Sequence, residues 1–284
     1  MEKLLHYIYF DKLKTDPSQR PTILSETMFN PKQKREKMAE LLFETFNIPT
    51  YYTTNEAVLA LYSSGLLNML VFVSGDGVSC SLPVIDGVQI MNSANRIELS
   101  GFDVTTQLQK LISSHDSSLA SASGLQIVRD IKEKYAYVAT KSSSKSIPFT
   151  KILLPNEHEI TLSKELFECA EILFDSSHGL HKMINKSIKS IKSKTERNLL
   201  YGQIFIAGGN TMLKGFPERI EGEIKKIAPK NIFNRKVKVL ANVERENAVW
   251  IGGAAIGEVQ LFDKIAITMC EYKETGKAIV NIKC

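Results

Sequence analysis

Residues 34–47, KREKMAELLFETFN, place Met38, Leu41, Leu42 and Phe46 at three- and four-residue spacing with charges between them. That pattern predicts an amphipathic helix, and Pro49 stands where such a helix stops. A second helix is predicted in TTNEAVLALYSSG, with Asn55 at its start and Gly65 at its end. LLNMLVFVSGDGVSCSLPVIDG then reads as strand, glycine turn and strand, closing at Asp86-Gly87, which is a hairpin signal. From Phe102 to Ser113, Val104, Leu108, Leu111 and Ile112 mark a helix. In QIVRDIKEKYAYVAT another is predicted, with Ile127, Ile131 and Tyr135 on one face and Arg129, Lys132 and Glu133 on the polar face. The serine-rich stretch 113–123 and KSSSK at 141–145 read as loops.

Residues 150–162 read as strands turned at Pro155-Asn156, and 163–174 as helix. The stretch 182–200, KMINKSIKSIKSKTERNLL, is the most basic; Ile184, Ile188 and Ile191 line one side and Lys182, Lys186 and Lys189 another. It reads either as a surface helix with a lysine face or as a contact surface for an acidic partner. QIFIAGGNT is a buried strand entering a glycine turn, FPERIEGEIKKI a helix, and KVKVL a short strand. AVWIGGAAIGEV, with its paired glycines, suits a tightly packed turn into a helix. Strands and helices alternating throughout argue for an α/β fold.

At 284 residues the chain suits about two domains at roughly 150 residues each. Hydrophobic residues at 43% and charged residues at 24% exclude a disordered chain, a collagen and a coiled-coil rod. Cys80, Cys169, Cys270 and Cys284 are too scattered for a disulfide scaffold or a CxxC zinc site, so a reducing compartment is expected. A net charge of +5 permits an acidic partner and gives no clear nucleic-acid signal. No run of about 18 apolar residues occurs, and the start has no signal-peptide layout, so the expected location is intracellular and off the membrane.

Two turns share one grammar. Leu70-Val71-Phe72-Val73 leads into Ser74-Gly75-Asp76-Gly77, and Ile204-Phe205-Ile206-Ala207 into Gly208-Gly209-Asn210-Thr211. Glycines let backbone N–H groups converge, and such a nest accepts phosphate oxygens. Neither turn matches the P-loop or the dinucleotide fingerprint, so a plain turn and a nucleotide site both stay open. His178 and His181 lack a third ligand, which points to a solvent-exposed pair and no metal site. Asp76 and Glu56 could act on a metal-bound phosphate, cap a helix or sit on the surface.

MEKLLHYIYFDKL, LSETMFNPKQKREKMAELLFETFN, EAVLALYSSG, SGDGV, IVRDIKEKYAYVA, GGNTMLKGFPERI, VWIGGAAIG and CEYKETGKAIV follow one another along the chain. Each resembles the matching segment of actins, in the same order, and the resemblance is weaker at 113–124, 141–153 and 175–200. It implies an actin-like α/β fold with two lobes around a central nucleotide cleft. Residues 1–63 and 248–284 would form part of subdomain 1, residues 64–99 and 177–247 subdomain 3, and residues 100–176 subdomain 4. Ser74, Gly75, Asp76 and Gly77 would be the second phosphate loop. Arg129, Lys132 and Glu133 would reach the adenosine, with Gly101 near the ribose. Gly208, Gly209, Asn210 and Met212 would line the base and the α-phosphate.

The departures from actins shape the expected function. The chain begins where actins are about a quarter finished, so the first phosphate loop, the N-terminal strands and subdomain 2 have no counterpart in these residues. Glu56 stands for the water-orienting glutamine, Val73 for an aspartate, Cys80 for a histidine, and Glu246 for a lysine near the adenine. Phosphoryl transfer depends on positioned water, metal and cationic clamps, so no catalytic residue is assigned and negligible ATP hydrolysis is expected. The competing reading has Glu56 hold the water, since a carboxylate can do so. ATP or ADP is expected to bind weakly, if at all, with no metal held. DSSHGL at 175–180 is a shorter, polar version of an apolar loop that plugs actin filaments, so self-assembly is not expected.

Subdomain 1 lacking its N-terminal strands would expose a sheet edge. A partner protein, a repacked core or an omitted N-terminal half would cover it, and a partner is preferred. The expectation is an actin-like scaffold or adaptor in a larger cytoskeletal or other assembly, cytoplasmic and cytoskeleton-associated. Lys182, Lys186, Lys189, Lys192 and Lys194 are the candidate contacts to an acidic partner. The alternative is a conventional ATP-binding, polymerising actin seen as a fragment or divergent isoform. A sugar kinase or chaperone-type ATPase of the same superfamily is disfavoured by VWIGG and EYKETG.

Overall fold

The computed structural model describes residues 1–140, 149–229 and 237–284; the loop expected at 141–145 lies outside them. Two compact units result, Met1–Ser63 with Val249–Cys284 and Ser64–Ala248.

The first unit opens with helix α1 (Glu2–His6), which widens into a π-helical turn, Tyr7–Lys12. Strand β1 (Thr22–Glu26) follows, then α2 (Lys32–Glu40), prolonged by a second π-helical turn, Leu41–Thr45. Together these account for the helix predicted over 34–47, and its inward stripe is Ala39, Leu42, Phe43 and Phe46. Strand β2 (Thr50–Asn55) runs directly into α3 (Glu56–Ser64). The Val58 N–H donates to Asn55 Oδ1 at 3.0 Å, so Asn55 caps the helix as expected. Gly65, at φ 67°, takes the left-handed conformation just past the helix end.

The second unit holds β3 (Met69–Ser74), β4 (Ser79–Ile85), β5 (Val88–Gln89), β6 (Asn95–Ile97), α4 (Gly101–Ile112) and α5 (Ala122–Tyr135). It continues through β7 (Thr150–Leu153), β8 (Glu159–Leu162), α6 (Glu165–Glu168), α7 (Leu180–Lys189), α8 (Lys194–Tyr201), β9 (Ile204–Ala207), α9 (Phe216–Ile227) and β10 (Val239–Leu240). The main sheet runs β10-β9-β3-β4-β5, with β6 pairing another stretch of β4, while β7 and β8 form a separate hairpin. Strand β3 is parallel to β9 and antiparallel to β4. Every residue of β3 is buried, which is why its sequence is a continuous apolar run instead of an alternating one. Asp86 (φ 51°) and Gly87 (φ 78°) make the predicted turn after β4. One continuous apolar core joins the sheet to α4, α5, α7 and α9 through residues such as Phe72, Leu108, Ile131, Ile184, Phe216 and Ile220.

Helix α5 buries Gly124, Val128, Ile131 and Lys132, so its inner stripe is rotated from the one read in the sequence: Tyr135 is exposed and Lys132 is not on the polar face. Residues 163–174 form a short helix and a 3-10 turn, Glu171–Phe174, not one helix. The basic stretch 182–200 is split between α7 and α8, and α7 is a core helix with a narrow exposed edge, not a surface helix. His181 is buried in α7 while His178 is exposed in the preceding turn, so the two are not a solvent-exposed pair.

The chain returns to the first unit through α10 (Ala248–Glu258), α11 (Phe262–Ile265), β11 (Ile267–Thr268) and α12 (Met269–Thr275). The paired glycines lie inside α10, not in a turn before it. A Cβ on Gly252 would sit 1.7 Å from the Leu59 carbonyl oxygen, so glycine there lets α10 cross α3 backbone to backbone. The sheet of this unit runs β1-β2-β11. On one face Tyr51 packs with Phe43, whose ring stacks on Tyr272 with centroids 4.5 Å apart; on the other lie Tyr52, Leu59, Ile256 and Phe262. Strand β1 pairs only with β2 among the described residues, and its Ile23 and Leu24 are half-buried. Among the described residues no helix is long and apolar enough to cross a membrane.

Candidate functional site

Because β3 and β9 are parallel neighbours with Val73 opposite Ala207, both glycine turns leave the same end of the sheet. In open α/β sheets ligands bind beyond the carboxyl ends of the strands. The glycines fall into two kinds. Gly208 has φ 93°, and a Cβ there would lie 2.4 Å from the Ser74 carbonyl oxygen, so it lets the second turn pass against the first. Gly75, Gly77 and Gly209 have open space where a Cβ would stand, so room for a ligand lies beside both turns.

The polar groups of the first turn are engaged from within. Asn210 Nδ2 donates to Ser74 Oγ at 2.9 Å, Ser74 and Ser79 hydroxyls lie 2.7 Å apart, and Ser79 Oγ donates to the Leu99 carbonyl at 2.6 Å. A hydroxyl has one proton. Ser79 gives its proton to Leu99, so Ser74 must give its own to Ser79 and has none left for a phosphate oxygen. Helix α4 is anchored on the same turn. Gly101 N–H donates to the Gly75 carbonyl at 3.0 Å and Phe102 N–H to the Asp76 carbonyl at 2.8 Å, while Ser100 and Asp103 form a capping box. The Ser100 hydroxyl also bonds the Asp76 carbonyl.

The cations of α5 are held by the loop's own acid. Arg129 Nη2 donates to Asp76 Oδ2 at 2.9 Å. Lys132 Nζ donates to the Gly101 carbonyl at 3.1 Å and lies 4.0 Å from Asp76 Oδ1. Burial lowers the Lys132 ammonium pKa, and the Asp76 carboxylate opposes that shift. Glu133 is exposed, as is Met212 at the end of the second turn.

Arg245, which the sequence did not single out, braces the second turn. Its carbonyl accepts the Gly208 N–H at 2.9 Å and its Nη2 donates to the Thr211 carbonyl at 3.0 Å. Arg245 Nε and Asn210 Oδ1 are buried without a hydrogen-bond partner among the described residues. Both atoms are closed off from solvent, so the room for a polar ligand is the open space beside Gly75, Gly77 and Gly209. The fit to a metal-bound triphosphate is poor. Val73 and Cys80 face one another across β3 and β4, both buried, where neither can hold a hydrated cation or orient water. Glu56 belongs to the other unit, half-buried at the start of α3, and Glu246 is exposed beside Arg245. Lys182, Lys186 and Lys189 lie on the exposed edge of α7, Lys192 in the link after it and Lys194 at the start of α8, outside this cluster.

The family model for actin matches residues 1–284. The chain is also 34% identical over 303 residues to "Putative actin-29" of Dictyostelium discoideum, an alignment that covers 100% of this chain and 77% of that protein. With the α/β fold and paired glycine turns described above, these matches place the chain in the actin family.

Proposed function

We propose that this actin-family chain is a structural subunit that does not hydrolyse ATP, a scaffold or adaptor in a larger cytoskeletal or other assembly of the cytoplasm. The observation that carries the reading is the buried Val73–Cys80 pair at the end of the strands, two side chains without charge where phosphoryl transfer needs charged and water-ordering groups. The inward-directed Ser74 hydroxyl and the Asp76 grip on Arg129 and Lys132 support it further. ATP or ADP is held weakly, through the backbone of the two turns. A partner protein covers the outer edge of β1. The test measures phosphate release from magnesium-ATP by the purified chain; turnover at a filament-like pace refutes the reading.

The second reading, a conventional nucleotide-binding and polymerising actin, draws on the open space beside Gly75, Gly77 and Gly209. Sedimentation with ATP and magnesium separates the two: the scaffold stays in the supernatant.

A further inference from the structure

The chain has 36 Lys and Arg against 31 Asp and Glu, a net charge of +5. Residues 182–197 alone contain six of those cations (Lys182, Lys186, Lys189, Lys192, Lys194 and Arg197) and one acid, Glu196. Removing the six from 36 and the one from 31 leaves 30 of each. The whole basic excess therefore sits in one short stretch, and the rest of the chain is balanced.

This stretch is anchored by burial and hydrogen bonds. Helix α7 buries Met183, Ile184 and Ile188, and its Ser187 hydroxyl is bonded to Ser81 Oγ at 2.6 Å and to Asn95 Nδ2 at 2.7 Å, so the helix cannot roll. Arg197 Nη1 donates to the Ile191 and Lys192 carbonyls at 2.6 and 3.0 Å, which fixes the link and the place of Lys192. Lys182, Lys186 and Lys189 follow the i, i+4, i+7 rhythm of a single helix edge. Lys186, Lys189 and Lys192 are exposed and make no ion pair among the described residues. Cations near a helix C-terminus complement its dipole, which accounts for Lys186 and Lys189. Lys182, in the first turn, is held by the fold itself, its Nζ donating to the Ser176 carbonyl, so the free cations are Lys186, Lys189 and Lys192.

We propose that this lysine ridge docks an acidic polypeptide segment of a partner protein, a proposal that rests on the scaffold reading. The ridge is one side chain wide, which suits a second chain laid along it. The apolar residues of α7 face the core, so none is left to insert into a lipid surface. The ridge has no aromatic side chain to stack a base, and its one arginine is engaged with backbone carbonyls. Acidic residues at helical spacing on a partner would meet successive lysines.

The test titrates the full chain against a fluorescein-labelled peptide bearing glutamates in the i, i+4, i+7 pattern, followed by anisotropy. Binding is expected at low salt and should fade as salt rises. Replacing Lys186, Lys189 and Lys192 together by Ala should weaken it about tenfold, and Lys189→Ala alone should do so less. A control replaces Lys110, Lys264 and Lys273, exposed elsewhere, by Ala and removes the same charge; its affinity should stay at the wild-type value. The proposal is overturned by absence of peptide binding, by an equal loss in the control, or by tighter binding to phosphatidylserine vesicles or polyuridylate than to the peptide. None of these readouts involves nucleotide, so they are independent of the phosphate-release test of the scaffold reading.

Discussion

Adjacent glycines in the second turn should respond in opposite ways to the same small change. Gly208 combines φ 93° and ψ 155° with a Cβ position 2.4 Å from the Ser74 carbonyl oxygen. That backbone region costs a side-chain-bearing residue about 1–3 kcal/mol. The clash adds about 1–3 kcal/mol of overpacking, because the obstacle is the Ser74 backbone at the end of β3, held in the ladder opposite Ser79 of β4. Gly208→Ala should therefore remove about 2–6 kcal/mol, a large share of the roughly 5–15 kcal/mol that holds a domain. Gly209 has no such strain and open space around it. Gly209→Ala should be neutral or slightly stabilising, by about 0.5 kcal/mol, while its methyl group obstructs any ligand over the turn. Urea unfolding followed by circular dichroism gives the stabilities, and calorimetry with ATP gives the binding. A Gly208→Ala protein as stable as wild type would refute the close packing of the two turns; a Gly209→Ala protein that binds ATP unchanged would remove the ligand from that side.

Asp76→Asn should free Arg129 and Lys132 from the loop's carboxylate and tighten ATP binding, as calorimetry would show; weaker binding would mean that Asp76 itself contacts the ligand. Gly252→Ala should unfold the first unit at much lower urea, because the added methyl would meet the Leu59 carbonyl at 1.7 Å. His181 makes stability depend on pH. Burial lowers its pKa below the ordinary 6.5, Glu223 opposes the shift, and Lys182, Arg219 and Lys226 reinforce it. The unfolded chain thus binds this proton more readily than the folded one, so the contribution is complete above about pH 6.5 and declines as pH falls below it. His181→Phe should flatten that part of the stability profile, and an unchanged slope would assign it to other groups.

Much of the fold was legible because local chemistry and packing agree. Asn55 and Gly65 bracket α3, Asp86-Gly87 closes the β4–β5 turn, and the two glycine turns follow their apolar strands. Strands β1 and β2 went unread because TILSE and TYYTTN carry only short β-branched and aromatic signals, and their partners lie far along the chain. The α5 face differs from its spacing because spacing cannot tell a lysine on the surface from one buried against a helix carbonyl, as Lys132 is against Gly101. Similarly, the glycine pair in α10 looks like a turn until Leu59 supplies the close neighbour that explains it. At the site, the resemblance indicated the residues around the turns, but not the Ser74–Ser79–Leu99 chain of protons or the role of Arg245. Those depend on contacts between segments with no common spacing in the sequence.

Placing the entire charge surplus in residues 182–197, from α7 through its link into the first turn of α8, has a consequence for the chain in solution. With the charges of that stretch neutralised, the formal charge at pH 7 drops to zero, and the mutual repulsion that keeps molecules apart goes with it. Colloidal behaviour is then set by a handful of lysines: the free chain should stay dispersed, and a ligand that neutralises the ridge without adding charge of its own should drive it toward precipitation.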